Sequence, residues 1–411
     1  MKSSGICPED FFIFAPMSIL FAEHPEAHQQ LLPLTYTRPI ADLRVGILTI
    51  AEKWARRLDA APFGFETLPY LQEKFATLTA EENTLWIVDG LLPDDSLIQA
   101  VKTLKPGQVL RHGEHPLAAR GKHNPLLHTD YQPVSFEESY DQISYTWHIF
   151  QLNGAEIRKD FELMTKGRTS QPITDAHTIT YGSDIFLEEG AQVRAAILNA
   201  ENGPIYLGRN SEVQEGAIIR GPFGMGEDSI VAMGSKLRGD TSAGPQCKMG
   251  GEISNSVFWG RSNKGHDGFL GNSVLGEWCN LGAATNNSNL KNNYDPVRMW
   301  DFASGRFVHT GLQFCGLIMG DHSKTAIGTL FNTGTTVGVA ANIFGEGFPR
   351  NIIPSFSWGG AKGFVTHQPR KAFITAQVVM KRRNLELTEQ DKNILNHIFE
   401  ASAQYRVWEK I

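Results

Sequence analysis

Apolar residues change their spacing about halfway along the chain, and each spacing implies a different kind of structure. The first apolar run, Phe11 to Phe21, reads as a buried strand, and polar His24 to Gln30 reads as loop. Ile47, Ile50, Trp54 and Leu58 then recur at helical spacing, with Lys53, Arg56 and Arg57 off that face. Asn83 to Leu92 is a second strand ending at a turn, after which Pro93-Asp94-Asp95 caps a helix toward Lys102. Strands alternating with helices predict an α/β unit with a parallel or mixed sheet. Gln142 to Lys166 links onward and ends in a helix with Ile157, Phe161 and Met164 on one face; polar Thr169 to Thr178, with Pro172, marks the boundary.

Beyond Thr178 the period becomes six. Leu207, Val213, Ile219, Met225, Val231 and Leu237 are each six apart. The period returns at Phe269, Leu275 and Leu281, and again at Met319, Phe331, Val337 and Ile343, with Thr325 filling one place. No amphipathic helix has this period, because helical apolar positions fall three and four apart. A hexapeptide β-helix does: each repeat is a short strand and a turn, and three repeats close one coil around an apolar interior. A β-sandwich with accidental spacing is the alternative. Arg238 to Gly251 reads as a slip of register, and Asn286 to Gly316 as a long polar excursion of the kind usually reserved for function or assembly. Arg370 to Arg382 and Thr388 to Tyr405 read as two helices, the second opened by Thr388 and Asp391 at capping-box spacing; nothing in them points to chemistry.

Composition narrows the function without naming it. The 411 residues exceed one usual core and imply two or more domains. A net charge of −6 with no basic block gives no support to a nucleic-acid partner, but leaves room for small anions in local basic pockets. No apolar run approaches the length of a membrane span. Cys7, Cys247, Cys279 and Cys315 lie far apart, in no metal-ligand spacing, as expected of a reduced, cytoplasmic protein with no structural metal. Many of the 40 glycines follow Ala200, which suits regular tight corners.

The stretch PLTYTRPIADLRVGILTIAEKW and the later WIVDGLLPDDSLIQA resemble the start of sugar-1-phosphate nucleotidyltransferases and their strand that ends in a metal-binding aspartate. The likeness covers roughly residues 10–165. It implies weak nucleotide-sugar contacts through Arg38, Asp42, Arg44 and Asp89, and Mg2+ if this half is active. Three elements depart from the pattern. AEHPEAHQQLL stands where a Gly-rich phosphate loop belongs, Ile40 replaces a lysine, and Leu91 replaces an acid. A domain that binds a nucleotide sugar weakly, or only packs, is an equally open reading.

A second resemblance lies within the repeat. KGHDGFLGNSVLGEWCNLGAAT followed by NNYD is similar to the acetyltransferase half of the bifunctional bacterial family that makes UDP-N-acetylglucosamine. The whole chain resembles a Bacteroidetes-type group of sugar nucleotidyltransferases with that domain order. The resemblance implies that His266 is the general base taking a proton from a sugar amine. Histidine suits the task because its ordinary pKa, about 6.5, leaves the neutral base populated near pH 7. It further implies that Glu252 orients the ring, that Arg238 grips the sugar phosphate, and that Asn280, Asn293 and Tyr294 contact substrate. The Gly282–Ala283 corner would bind acetyl-CoA, with the Ala283 N–H on the thioester oxygen. Phe269 stands where a tyrosine is expected and Ser254 where a lysine is expected; Lys291 is a candidate to restore that cation. Cys279 reads as a packing residue, with no basic partner spaced to activate it.

The architecture these patterns predict is an α/β nucleotidyltransferase-like N-terminal domain with a linking helix (1–172), a left-handed parallel β-helix (173–365) and C-terminal helices (366–411). The function implied is acetyl transfer from acetyl-CoA to an amino-sugar phosphate or nucleotide sugar, in a homotrimer whose sites form between neighbouring β-helices. A nucleotidyltransferase with an assembly β-helix and a non-catalytic nucleotide-sugar binder remain as alternatives.

Overall fold

The structure is a computed structural model that describes residues 18–60 and 62–410. The first strand is seen as Ile19–Ala22; the part of that prediction before Ser18, like Cys7, lies outside the described residues. Ile19–Ala22 pairs in parallel with Phe63–Glu66 on one side and with Leu85–Val88 on the other. Leu85–Val88 continues antiparallel to His115–Arg120, then Gln108–His112, and Gln132–Ser135 closes a six-stranded mixed sheet. The predicted helix is present as Ile50–Leu58, opened by a reciprocal Thr49–Glu52 capping box that satisfies two otherwise orphaned N–H groups. Asp94 caps Asp95–Thr103 by a single bond, accepting from the Leu97 N–H. Polar His24–Gln30 is not a loop: Pro25–Gln30 is a short helix with proline in its first turn.

From Ile179 the chain winds as a parallel β-solenoid. Strands stack in register from coil to coil, so Leu207 lies beside Met225 and Met225 beside Ala243. Leu207, Val213, Ile219, Met225, Val231 and Leu237 are all buried in one core. Two readings of the register are corrected. Arg238 to Gly251 does not slip, because Ala243 and Met249 keep the inward places; alanine is too small to register as a core position in sequence. After Met249 the coils shorten, and Leu270, not Phe269, faces inward.

The N-terminal domain and solenoid are packed as one body. Val257, Trp259 and Val274 point outward from solenoid strands and join the core of the α/β domain. Between them lies the helix His148–Thr165, whose Gly154 has no room for a β-carbon: one would sit 1.9 Å from the Asp240 carboxylate. Its Asn153 accepts from Gly46 N–H (2.7 Å) and donates to the Asp240 carbonyl (2.8 Å), bonding both halves at once. Asp160 and Glu156 enclose Lys53 at 2.5 and 2.9 Å. The excursion Asn286 to Gly316 has a structural role: Arg298–Asp301 and Arg306–His309 form a hairpin whose Met299 joins the α/β core, and Gln30 donates to Asp301 (2.5 Å).

The C-terminal helices Pro369–Lys381 and Glu389–Ala401 pack against Tyr36 and Leu71 of the first domain and Trp278, Val339 and Phe356 of the solenoid. The Thr388–Asp391 capping box is present, and Asp391 also pairs with Lys74 (2.8 Å).

One buried pair pins the junction. Arg38 of the α/β domain reaches Asp321 of the solenoid at 2.5 Å, and Asp321 also accepts from Thr37 (2.9 Å) and from the Glu277 N–H (2.9 Å). Without Asp321, Arg38 would keep only the more distant Asp42 (3.4 Å) and Glu277 (3.6 Å), and Thr37 and the Glu277 N–H would lose a buried acceptor. Asp321→Ala should therefore cost about 3–5 kcal/mol in urea denaturation; a loss under about 1 kcal/mol would show that the junction does not depend on it.

Candidate functional site

Three successive coils turn one corner at Gly251, His266 and Ala283. A β-carbon on Gly251 would lie 2.9 Å from the His266 carbonyl oxygen, and the Ala284 N–H donates to the Asp267 carbonyl at 2.8 Å. His266 and Ala283 therefore stack one above the other. Gly268 closes the turn at φ +124°, where a β-carbon would sit 2.2 Å from the Thr285 carbonyl oxygen, so only glycine fits. His266 is exposed. The Gly282 N–H is taken by Thr325 Oγ1 (3.0 Å), whereas the Ala283 N–H is paired with no group among the described residues.

Glu252 opens the next strand, its N–H bonded to the Gly268 carbonyl at 3.0 Å. The Glu252 carboxylate turns toward Arg238 (2.9 Å) and makes no bond to the imidazole. The expected acid–histidine pair is thus close in backbone but unmade in side chain, because a guanidinium from the coil below offers the stronger partner. Asn280 is exposed three residues before Ala283, in a column with Asn263 and Lys324. Lys291, Asn293 and Tyr294 are not brought to this corner by any contact among the described residues. Lys291 donates to the Pro296 carbonyl (2.9 Å), Asn293 to Asp295 (2.6 Å), and Tyr294 is 62% exposed in a left-handed conformation (φ 59°).

In the α/β domain, Arg38, Asp42 and Arg44 line one 250 Å³ cleft with Trp259, Arg261 and Glu277 of the solenoid. Their polar groups are largely committed. Arg38 lies over the Trp259 ring (4.8 Å) while holding Asp321, and Arg44 and Trp259 exchange bonds of 3.2 and 3.1 Å with each other's carbonyls. Burial pushes the Asp42 carboxyl up to about 6, with Glu277 adding to the rise and Arg38 opposing it. Arg38 is accordingly an inter-domain strut rather than a free phosphate ligand.

Asp89 stands apart from these three. Its carboxylate accepts the His24 backbone N–H (2.7 Å) and meets His24 Nδ1 (2.8 Å), so both oxygens are engaged. Burial raises its carboxyl and His24 opposes the rise. Glu23, nearby in sequence, is bonded to His28 (3.0 Å) and to the Ile40 N–H (2.7 Å). Among the described residues no group of three or more His, Cys, Asp or Glu could hold a metal ion. Mg2+ is commonly held by one or two carboxylates together with substrate phosphates, so Asp89 could serve it only by giving up its bonds to His24.

Several residues at the site carried no motif. Lys264 occupies an inward place in the solenoid, beside Met249 in the coil below, and is 1% exposed. Its ammonium is bonded to the His266 carbonyl and lies 3.4 Å from that of Gly250, directly beneath the candidate corner. Counting the register back by six from Leu270 would have found it. Burial pulls its pKa down to about 8, against a smaller upward pull from Asp267. Arg261, Lys324, Arg382 and Arg383 converge on Asn280 from separate segments. Cys279 is buried in the solenoid core, and burial pushes its thiol well above the ordinary range. Among the described residues no helix is long and apolar enough to cross a membrane.

The class to which the first domain corresponds is now visible: residues 18–169 match the family model described as Sugar nucleotidyl transferase. The chain is also similar to proteins named Bifunctional protein GlmU. It is 28% identical to that of Synechococcus elongatus over 177 residues, 40% of this chain and 34% of the relative. It is 28% identical to that of Corynebacterium efficiens over 218 residues, 48% of this chain and 43% of the relative. The chain thus spans between a third and a half of the length of these relatives. Among solved structures, an Arabidopsis UDP-N-acetylglucosamine acyltransferase aligns at 12% identity over 53% of this chain and 80% of its own, with a TM-score of 0.29. A likeness at that score has no bearing on function.

The depressed pKa of Lys264 has a testable sign. Below about pH 8 the amine is charged in both folded and unfolded chains, and its burial penalty is fully present. As pH rises from about 8 toward the ordinary 10.5, the folded protein sheds the proton first and gains stability relative to the unfolded chain. Lys264→Met should be more stable than the parent at pH 7, by roughly 2–3 kcal/mol, and the difference should shrink by pH 10.5 in parallel denaturant titrations. A difference independent of pH would place the charge elsewhere.

Proposed function

We propose that the solenoid transfers an acetyl group from acetyl-CoA to the amine of an amino-sugar phosphate or nucleotide sugar. The observation that carries the proposal is the stack at the corner: an exposed imidazole on His266 beneath the unpaired N–H of Ala283. The amine nitrogen attacks the thioester carbonyl, the carbon–sulfur bond breaks, and CoA leaves as the thiol. His266 takes the amine proton and returns it to the sulfur, while the Ala283 N–H receives the charge developing on the carbonyl oxygen. In this reading Arg238 grips the acceptor's phosphate, and its release of Glu252 frees that carboxylate for the imidazolium. The similarity to bifunctional GlmU proteins supports the same reading. A single corner is shallow, so we assign the working form to a homotrimer in which a neighbouring copy supplies the opposite wall.

His266→Ala should lower release of free CoA thiol, with glucosamine 1-phosphate as acceptor, by about 10²–10⁴-fold. Its thermal unfolding should be unchanged, and the active species should weigh three times 45.5 kDa by light scattering. Full activity in the variant would overturn the mechanism.

A second reading concerns the first domain. Its match to sugar nucleotidyl transferases over residues 18–169 supports nucleotide-sugar binding there, with or without nucleotidyl transfer. The committed side chains of Arg38, Asp89 and Glu23 favour binding without transfer. Incubation with a nucleoside triphosphate and a sugar 1-phosphate should then release no pyrophosphate above the uncatalysed rate, while a nucleotide sugar raises the melting temperature. Steady pyrophosphate release would reverse the assignment.

A further inference from the structure

Uncompensated positive charge gathers around a cleft that adjoins the candidate corner at Asn280 but contains neither His266 nor Ala283. A 540 Å³ cleft opens between the solenoid face carrying Asn263, Asn280 and Lys324 and the end of the helix Pro369–Lys381. Arg261, Lys324, Arg382 and Arg383 line it, and no carboxylate does. Of the four, Arg261 is paired with Glu277 (3.1 Å) and stands over the Trp278 ring (5.3 Å). Lys324 donates to the His322 carbonyl (3.0 Å), and Arg383 reaches the Asn263 side chain (3.5 Å). Among the described residues, Lys324, Arg382 and Arg383 have no acidic partner. In a chain of net charge −6, gathering three unbalanced cations costs mutual repulsion that nothing inside the molecule relieves.

We infer that this cleft is a binding site for a diphosphate-bearing small molecule. Three cations without counter-charge match the charge of a diphosphate, and two guanidinium forks can each grip phosphate oxygens with paired hydrogen bonds. The Asn263 and Asn280 amides add neutral donors at the same wall. The volume is in the range of small-molecule sites. Burial lowers the Lys324 pKa, so its proton is held weakly in the empty cleft and more strongly beside an anion. The site does not rest on the acyl-transfer reading: it uses neither His266 nor Ala283, and it binds whether or not the corner is catalytic.

Calorimetric titration of the full chain with inorganic pyrophosphate tests it. Binding is expected at 50 mM salt and weakened at 200 mM. The double variant Arg382→Gln/Arg383→Gln, which alters one exposed and one half-buried side chain at a helix end, should weaken binding at least tenfold with an unchanged melting temperature. Lys324→Gln, which removes the third cation of the lining, should also weaken binding. Parallel titrations with a nucleoside diphosphate and with CoA identify the source of the diphosphate: whichever binds tighter than pyrophosphate and loses that affinity in the double variant is the ligand class. Failure of pyrophosphate to bind the parent, or equal binding by the double variant, overturns the inference.

Discussion

Leu207, Met225 and Ala243 lie above one another inside the solenoid because each coil there repeats after eighteen residues. A single coil has too little surface to bury its own apolar side chains, so each is stable only when stacked on the next. That stacking fixes more than stability. Once the inward column is set, every outward position also falls into a column, and residues a coil apart in sequence become neighbours. His266 meets Ala283, and Asn280 meets Asn263 and Lys324, through this constraint alone. Lys264 is where the rule is broken: a charged side chain takes an inward place and offers its ammonium to the carbonyls of the His266 corner. Inverting the polarity of an interior position is costly unless the charge is hydrogen-bonded. Here the bonds that lessen the cost also brace the turn that carries the candidate base.

The second organising contact is the seam between the solenoid and what surrounds it. The seam is apolar along Val257, Trp259 and Val274 and ionic where Arg38 holds Asp321, while Lys53, held by Glu156 and Asp160, ties the α/β domain to the helix that lies against the seam. Buried ion pairs contribute little net stability compared with apolar packing, but they tolerate few alternative arrangements. The seam therefore locks one relative placement of the parts. The C-terminal helices add a third surface, and the clefts along these seams share Arg261 as a common wall. Cavities arise here because a flat-sided solenoid and rounded helical elements leave gaps where they meet.

The same commitment of side chains accounts for the state of the first domain. Where nucleotidyltransferases place a glycine-rich loop, this chain has the helix Pro25–Gln30, and Glu23 is spent on the Ile40 N–H and His28. Beyond its first turn a helix commits its N–H groups to its own carbonyls, and Pro25 removes one of the donors that the first turn would leave free. The sheet and its capped helices persist because their apolar faces are needed against the solenoid.

Much of this was legible in order along the chain. Period six gave the solenoid, helical spacing gave the helix after Thr49, Asp94 and Thr388 gave two capped helices, and the Gly265-His266 and Leu281-Gly282-Ala283 elements gave the corner. All are local: spacing and capping depend on residues a few positions apart. Ala243 hid a core position because a methyl group carries little hydrophobic signal, and Phe269 claimed a place that belongs to Leu270 because shortened coils shift the count. The pairing of Glu252 with Arg238, the bond between Arg38 and Asp321, and the gathering of Lys324 with Arg382 and Arg383 were not legible. Each joins different coils or different parts of the chain, and the partner is whichever charge lies within bonding distance once the coils have stacked. The sequence by itself determined the kind of structure and the residues available at its corners; the tertiary fold decided which of them meet, because electrostatic partners are selected by proximity in space and leave no period in the chain.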